Sequence, residues 1–274
     1  MPGICFKLLR SLYYSSYLKL LRPIPRAYAA HRGRQRIVVL VYHHVNDQNQ
    51  DLVTLSTNCF EQQMAYLKTH HPLVDVGALV HGRYPNNSRR TVVAVTFDDG
   101  YLDAYQNAVP VLVRHGIPAA FFVSTALIGT DGSFRHDLRR YAKPFPVMNW
   151  EQLRELSRLG FTVGSHTATH INCSKLNLAQ VVAELTQSKT ALERELGLKE
   201  VFFAYPFGGS NDITPAVHQA VQECGYAACL SAHGGFNRPP IDPFRIKRVG
   251  INHRFDSLAF RARLDGYRFR GEAF

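Results

Sequence analysis

Two adjacent carboxylates, Asp98 and Asp99, end the apolar run Val92-Val93-Ala94-Val95-Thr96-Phe97 and are followed by Gly100. A strand that finishes in Asp-Asp-Gly places two negative side chains where the chain turns, and the glycine lets the backbone leave sharply. Further on, His166 and His170 flank Thr167-Ala168-Thr169, after a second β-like run, Phe161-Thr162-Val163-Gly164-Ser165. At that spacing one turn of chain can point both imidazoles at one ion. One carboxylate and two imidazoles make a three-ligand set with positions left for water and substrate, as in catalytic rather than structural metal sites. The other carboxylate is then free to act as base. Each feature alone has an ordinary reading, since Asp pairs before glycine commonly form solvated turns and histidines often serve only as hydrogen-bonding groups. Their joint occurrence at strand ends favours a hydrolytic metal site.

The elements around these residues alternate short apolar runs with helical patterns, the rhythm of a parallel sheet wrapped by helices. The pattern predicts strands at Ile37–Tyr42, Val92–Phe97, Ala119–Val123, Phe161–Ser165, Val201–Tyr205, Tyr226–Leu230 and Arg245–Val249. Helices are predicted at Cys59–Thr69, Ala104–His115, Trp150–Leu159, Leu178–Leu196, Pro215–Glu223 and Ser257–Leu264. Gly116, Gly160, Gly197 and Gly225 sit just past helical patterns, while Asn149 and Thr214 are suited to N-caps. Seven βα-like units predict an α/β fold closed into a barrel, in which chemistry sits at the carboxyl ends of the strands. Tyr42-His43-His44, Asp98-Asp99, His166 and Pro206-Phe207-Gly208 all fall at such ends.

The chain has 274 residues, 46% of them hydrophobic and 19% charged, the composition of an ordinary globular protein. No run of about 18 apolar residues suggests a transmembrane helix. The net charge of +11 suits a membrane surface or an anionic glycan, and no nucleic-acid-binding motif accompanies it. Cys5, Cys59, Cys173, Cys224 and Cys229 are odd in number and scattered, which points to reduced thiols rather than a disulfide framework. The first 46 residues hold no Asp or Glu but eight Lys and Arg. Within them Leu8, Leu9, Leu12, Tyr13, Tyr17 and Leu20 recur at helical spacing until Pro23. Residues 1–35 thus read as a basic amphipathic arm that lies peripherally on an anionic membrane, the alternatives being a helix packed on the domain's own surface or an Arg- and Ser-rich organelle transit peptide. The arm lacks the apolar core and cleavage site of a secretory signal. The expected location is the cytoplasm, at the inner face of the cytoplasmic membrane.

Thr96-Phe97-Asp98-Asp99-Gly100 and His166-Thr167-Ala168-Thr169-His170, followed by Phe203-Ala204-Tyr205-Pro206-Phe207-Gly208, resemble the motifs of the polysaccharide deacetylases, carbohydrate esterase family 4, with its NodB-homology domain. The resemblance runs from about Arg36 to Leu264 and implies that residues 36–274 form one catalytic domain, a distorted (β/α)7 barrel. It also implies a divalent metal, zinc first with cobalt, manganese or nickel as alternatives, held by Asp99, His166 and His170. Asp98 would be the base and the backbone N–H of Phe207 an oxyanion donor. Tyr42-His43-His44-Val45 resembles the branch that includes exopolysaccharide-biosynthesis deacetylases, in which His43 would be the general acid. Many members carry an arginine where this chain has Ala204; Arg248, at a predicted strand end, is placed to orient Asp98 instead. The late L-x-H motif is absent, and Leu230-Ser231-Ala232-His233 and His253 come nearest to it. The implied substrate is an N-acetylated polysaccharide or a lipid-linked sugar precursor. The competing readings are a deformylase or O-acyl esterase on another acylated sugar, and an inactive glycan-binding module.

Overall fold

The computed structural model describes residues 35–48, 53–86, 90–251 and 257–264. The predicted arm, all but Gln35 of it, and His253 lie outside the described residues. Among the described residues seven parallel strands close into a barrel: β1 (Ile37–Tyr42), β2 (Val92–Phe97), β3 (Ala119–Val123), β4 (Thr162–Ser165), β5 (Phe202–Ala204), β6 (Ala228–Gly234) and β7 (Ile246–Gly250). β7 pairs with β1 to complete the ring, with Val39 opposite Arg248 and Val41 opposite Gly250. Around it run α1 (Thr57–His70), α2 (Val76–Val80), α3 (Val109–His115), α4 (Arg135–Tyr141), α5 (Trp150–Arg158), α6 (Leu178–Leu196), α7 (Pro215–Glu223) and α8 (Ser257–Leu264). No described helix is long and apolar enough to cross a membrane.

Strand alternation sorts the apolar residues into two cores. Val38, Leu40, Val93, Val95, Phe97, Phe121 and Phe203 pack outward against helical residues such as Phe60, Leu112, Leu156 and Leu185. Ile37, Val39, Ala94, Phe122, Phe202, Ala204 and Leu230 form the barrel interior, joined by Val76 and Leu79 of α2. The same alternation decides where the polar residues go. Thr96 and Asp98 continue the inward set of β2, Arg248 that of β7 after Ile246, and His43 that of β1 after Val41. Gly164 of β4 is required because Phe122 fills the interior beside it: an added Cβ would lie 2.6 Å from the Phe122 ring.

Several boundaries differ from the pattern. β6 starts two residues later than predicted: Tyr226 is not a strand residue, and its buried hydroxyl donates to Leu185 O and is hydrogen-bonded to Ser165 Oγ. β6 then runs on through Ser231-Ala232-His233, past an irregular register against β7. The predicted helix Ala104–His115 opens with a π-helical turn, Ala104–Ala108. Pro110 lacks an N–H and crowds the preceding turn, which accounts for the widened start. The last two strands are joined by a loop without a helix, and the short α2 and α4 escape the periodicity. The glycine and cap assignments hold: Gly116 and Gly197 end helices in the left-handed conformation, Asn149 forms a capping box with Gln152, and Thr214 caps α7 ahead of Pro215. Cys59, Cys173, Cys224 and Cys229 are free thiols.

Candidate active site

At the carboxyl end of the barrel, Asp98 is 2% exposed and Arg248 1%. The guanidinium grips the carboxylate with both forks, Nη1 to Oδ1 and Nη2 to Oδ2, each at 2.7 Å. Arg248 Nη1 also donates to Thr96 Oγ1 and Nε to Ser231 O, so most of its donor capacity is used inside the barrel. Such bidentate, fully hydrogen-bonded geometry is what makes a buried ion pair tolerable. Burial alone would raise the Asp98 carboxyl, but Arg248 and His166 outweigh it and hold Asp98 below its ordinary value. Ala204, where the motif resemblance led to an expected arginine, serves through its backbone: its carbonyl accepts from His166 Nδ1 at 2.7 Å.

That bond places a proton on Nδ1 of His166 and leaves Nε2 as the nitrogen available to a metal. It faces Asp99 Oδ1 at 3.4 Å, and His170 Nε2 faces the same oxygen at 3.1 Å. Asp99 Oδ1 is buried and accepts no hydrogen bond. One ligand atom from each of the three residues lies within 4.8 Å of the others. A buried acceptor without a donor, converging with two imidazoles, fits a divalent cation. Burial tends to raise the Asp99 carboxyl, yet the two histidines keep it well below the usual carboxylate range.

The backbone is strained where these groups are presented. Among the described residues, non-glycine left-handed conformations occur at Asp99 (φ 73°), Thr167 (64°), His170 (58°) and Phe207 (61°), and elsewhere only at Ala142. Each costs about 1–3 kcal/mol and persists only where surrounding contacts enforce it. Phe207 is 52% exposed, its ring 5.1 Å from that of His170. The turn after it is held by His233 Nδ1, which donates to Gly208 O at 2.6 Å, and by Asp212, which accepts from Gly209 N and Asn172 Nδ2. Gly208 lies so close to β6 that a Cβ would meet Ala232 N at 2.6 Å.

One cavity of about 410 Å³ is lined by His43, Asp98, Asp99, His166, His170 and Phe207 together. His43 Nδ1 is buried and has no hydrogen-bond partner. Burial lowers the His43 imidazole below its ordinary value, against the opposing pull of Asp99 and Asp98. His233 also lines the cavity. The segment between β3 and α5 contributes residues that no motif marks: His136, Asp137 and Tyr141, on or at the end of α4. Phe134 and Phe145 pack there on Tyr101, which follows the Asp-Asp-Gly turn. Tyr101 donates to Asp137 Oδ2 at 2.8 Å, docking α4 over the site. The His136 ring lies 4.7 Å from that of His170, and burial takes its imidazole down to about 4. Trp150 packs partly buried against the outer core, away from the cavity lining.

Residues 85–229 match the profile of the polysaccharide deacetylase family. The Bacillus subtilis protein YxkH is 26% identical over 235 residues, which cover 84% of this chain and 76% of that protein. A poly-β-1,6-N-acetyl-D-glucosamine N-deacetylase of Staphylococcus aureus is 26% identical over 189 residues, 64% of this chain and 61% of that protein. The solved structure of IcaB from Ammonifex degensii superposes with a TM-score of 0.70 at 28% identity, covering 85% of this chain and 98% of that one. The family match includes Asp98, Asp99, His166, His170 and Phe207, whereas His43 precedes it and Arg248 follows it, so these two rest on the geometry. With the match spanning more than half of its length, the chain belongs to the polysaccharide deacetylase family.

Proposed function

We propose that this protein is a metal-dependent hydrolase that cleaves the N-acetyl amide of sugar units, with water, to acetate and a free amine. The observation that carries the reading is one cavity in which an ionised carboxylate, Asp98, stands beside a cation-seeking trio. Asp99, His166 and His170 would hold a divalent cation, whose Lewis acidity would lower the pKa of water from about 15.7 towards 7. Zinc suits two imidazoles and one carboxylate, with cobalt, manganese or nickel as substitutes. Asp98, kept ionised and oriented by Arg248, takes the proton of the attacking water. The Phe207 N–H donates to the acetyl oxygen as charge develops, a contact worth about 3 kcal/mol. His43 gives a proton to the leaving nitrogen.

The staphylococcal relative supports N-acetylglucosamine units of an exopolysaccharide as substrate. The charge of the first 46 residues supports a lipid-linked precursor at the cytoplasmic face of an anionic membrane, each Lys or Arg near such a surface being worth about 1 kcal/mol. Removing residues 1–30 is expected to abolish sedimentation with anionic vesicles, and equal sedimentation with and without them would remove the arm from the account. The activity is tested by incubating the protein, loaded with defined metals, with a panel of acetylated glycans and glycolipids. Equal yields of acetate and free amine are expected. Formate, or acetate without amine, would reassign the enzyme to deformylation or O-acyl hydrolysis, and no product from any substrate would contradict the proposal.

A further inference from the structure

The chain between the two histidine ligands makes no regular secondary structure, yet it must hold Thr167 and His170 in left-handed conformations for both imidazoles to face Asp99. Its grip comes from outside the motif. Glu184 of α6 accepts the N–H of Ala168 at 3.0 Å and of Thr169 at 2.9 Å on one carboxylate oxygen, and the Thr169 hydroxyl at 2.7 Å on the other. The helix that carries it is itself registered to the ligand-bearing strand. Ser188, one turn along the same face, pairs its hydroxyl with that of Ser165 at 2.8 Å, immediately before His166. Val181, Leu185 and Leu192 bury the other contacts of α6, and its N-terminus has a capping box, so the helix does not need Glu184 to form. Glu184 is absent from the cavity lining and from the ligand trio.

We propose that Glu184 is the positioning residue of the metal loop, holding both histidines in the ligating arrangement before the cation arrives and thereby setting metal affinity. This rests on the assignment of Asp99, His166 and His170 as ligands. Without the carboxylate the loop keeps the bonds that Ser124 Oγ, Thr125 N and Ala126 N give to the carbonyls of His166, Thr167 and Ala168, but the Ala168 and Thr169 N–H groups lose their acceptor, and metal binding has to restore that order. The test measures zinc affinity of the full chain by competition with a chromophoric chelator, for wild type, Glu184→Gln, Glu184→Ala and His166→Ala, with circular dichroism to monitor the fold. The Ala variant is expected to bind zinc about 10- to 100-fold more weakly, the range for lost outer-shell support. The Gln variant, whose carbonyl oxygen still accepts both amide N–H groups, should stay much nearer wild type. An Ala variant within about two-fold of wild type overturns the inference. Should that variant not fold, Glu184→Asp, which is charged but too short to reach, is judged by the same threshold. If wild type binds zinc no better than His166→Ala, the ligand assignment itself fails, an outcome distinct from unchanged affinity in the Glu184 variants alone.

Discussion

Asp98 keeps both carboxylate oxygens on the guanidinium of Arg248, whereas Asp99, one residue on, turns a buried oxygen that accepts no hydrogen bond towards two imidazoles. The backbone makes the difference. Asp98 continues the inward alternation of β2, so it meets Arg248 inside the barrel, while the left-handed turn at Asp99 swings the next carboxylate out of that alternation towards β4. Asp98 and Arg248 together are neutral and hydrogen-bonded, a complete unit. Asp99 instead turns a buried oxygen towards the Nε2 atoms of His166 and His170, a donor set that suits a cation. On the proposed function, adjacent residues of one type take on different chemistry, one moving a proton and the other holding a metal.

The largest expected effect comes from breaking the complete unit. Arg248→Met leaves Asp98 buried without its partner, which should cost about 3–5 kcal/mol of stability, measured by denaturant unfolding of the metal-free protein. The sign with pH follows. In the wild type Asp98 titrates below its ordinary value, so its contribution is present above about pH 4 and is lost as pH falls through the folded-state value. In the variant, burial acts unopposed by Arg248, and acidification should relieve the Asp98 penalty rather than remove a stabilising interaction. A variant within about 1 kcal/mol of wild type would mean that the pair is not what keeps Asp98 ionised.

Next in size is proton delivery. His43→Ala should lower turnover about 10²–10⁴-fold while metal content stays at the wild-type level, and it should remove the alkaline limb of a bell-shaped pH profile. Because burial lowers the His43 imidazole, that limb should lie below the ordinary histidine value. Substrates with activated leaving groups need no such proton and should be far less sensitive. If His233→Ala shows this selective loss and His43→Ala does not, the acid sits on β6.

A smaller effect concerns α4. Burial outweighs the Tyr101 hydrogen bond and pushes the Asp137 carboxyl up to about 6. Because the folded state holds this proton more tightly than the unfolded chain, the group is destabilising above pH 6, and the penalty fades as pH falls towards 4. Asp137→Asn keeps an acceptor for Tyr101 and should stabilise the metal-free protein at pH 8 by up to about 3 kcal/mol, with little gain at pH 4. Equal gains at both values would show that Asp137 is not a buried charge.

Much of this division is legible in the amino-acid sequence, because its signals are local. Asp-Asp-Gly after an apolar run, and two histidines four apart after another, carry their spacing with them. Arg248 was reachable through strand-end placement, since inward alternation on two strands brings it to Asp98. Glu184, Asp212, Asp137 and His136 were not legible. Glu184, Asp137 and His136 act on residues 15 or more positions away, Asp212 joins the nearby Gly209 N to the distant Asn172, and nothing in the flanking residues distinguishes Glu184 from other polar residues of α6. The segment carrying α4 is too short and irregular for periodicity. The extension of β6 depends on an irregular register that alternation cannot encode.

The central claim is tested most directly by metal content and turnover of Asp98→Asn and Asp99→Asn, measured side by side on one N-acetylated glycan. The account expects Asp98→Asn to retain a metal ion while deacetylation falls about 10²–10⁴-fold, and Asp99→Asn to lose the metal and activity together. Loss of metal from Asp98→Asn, or full retention of metal and activity by Asp99→Asn, would contradict it.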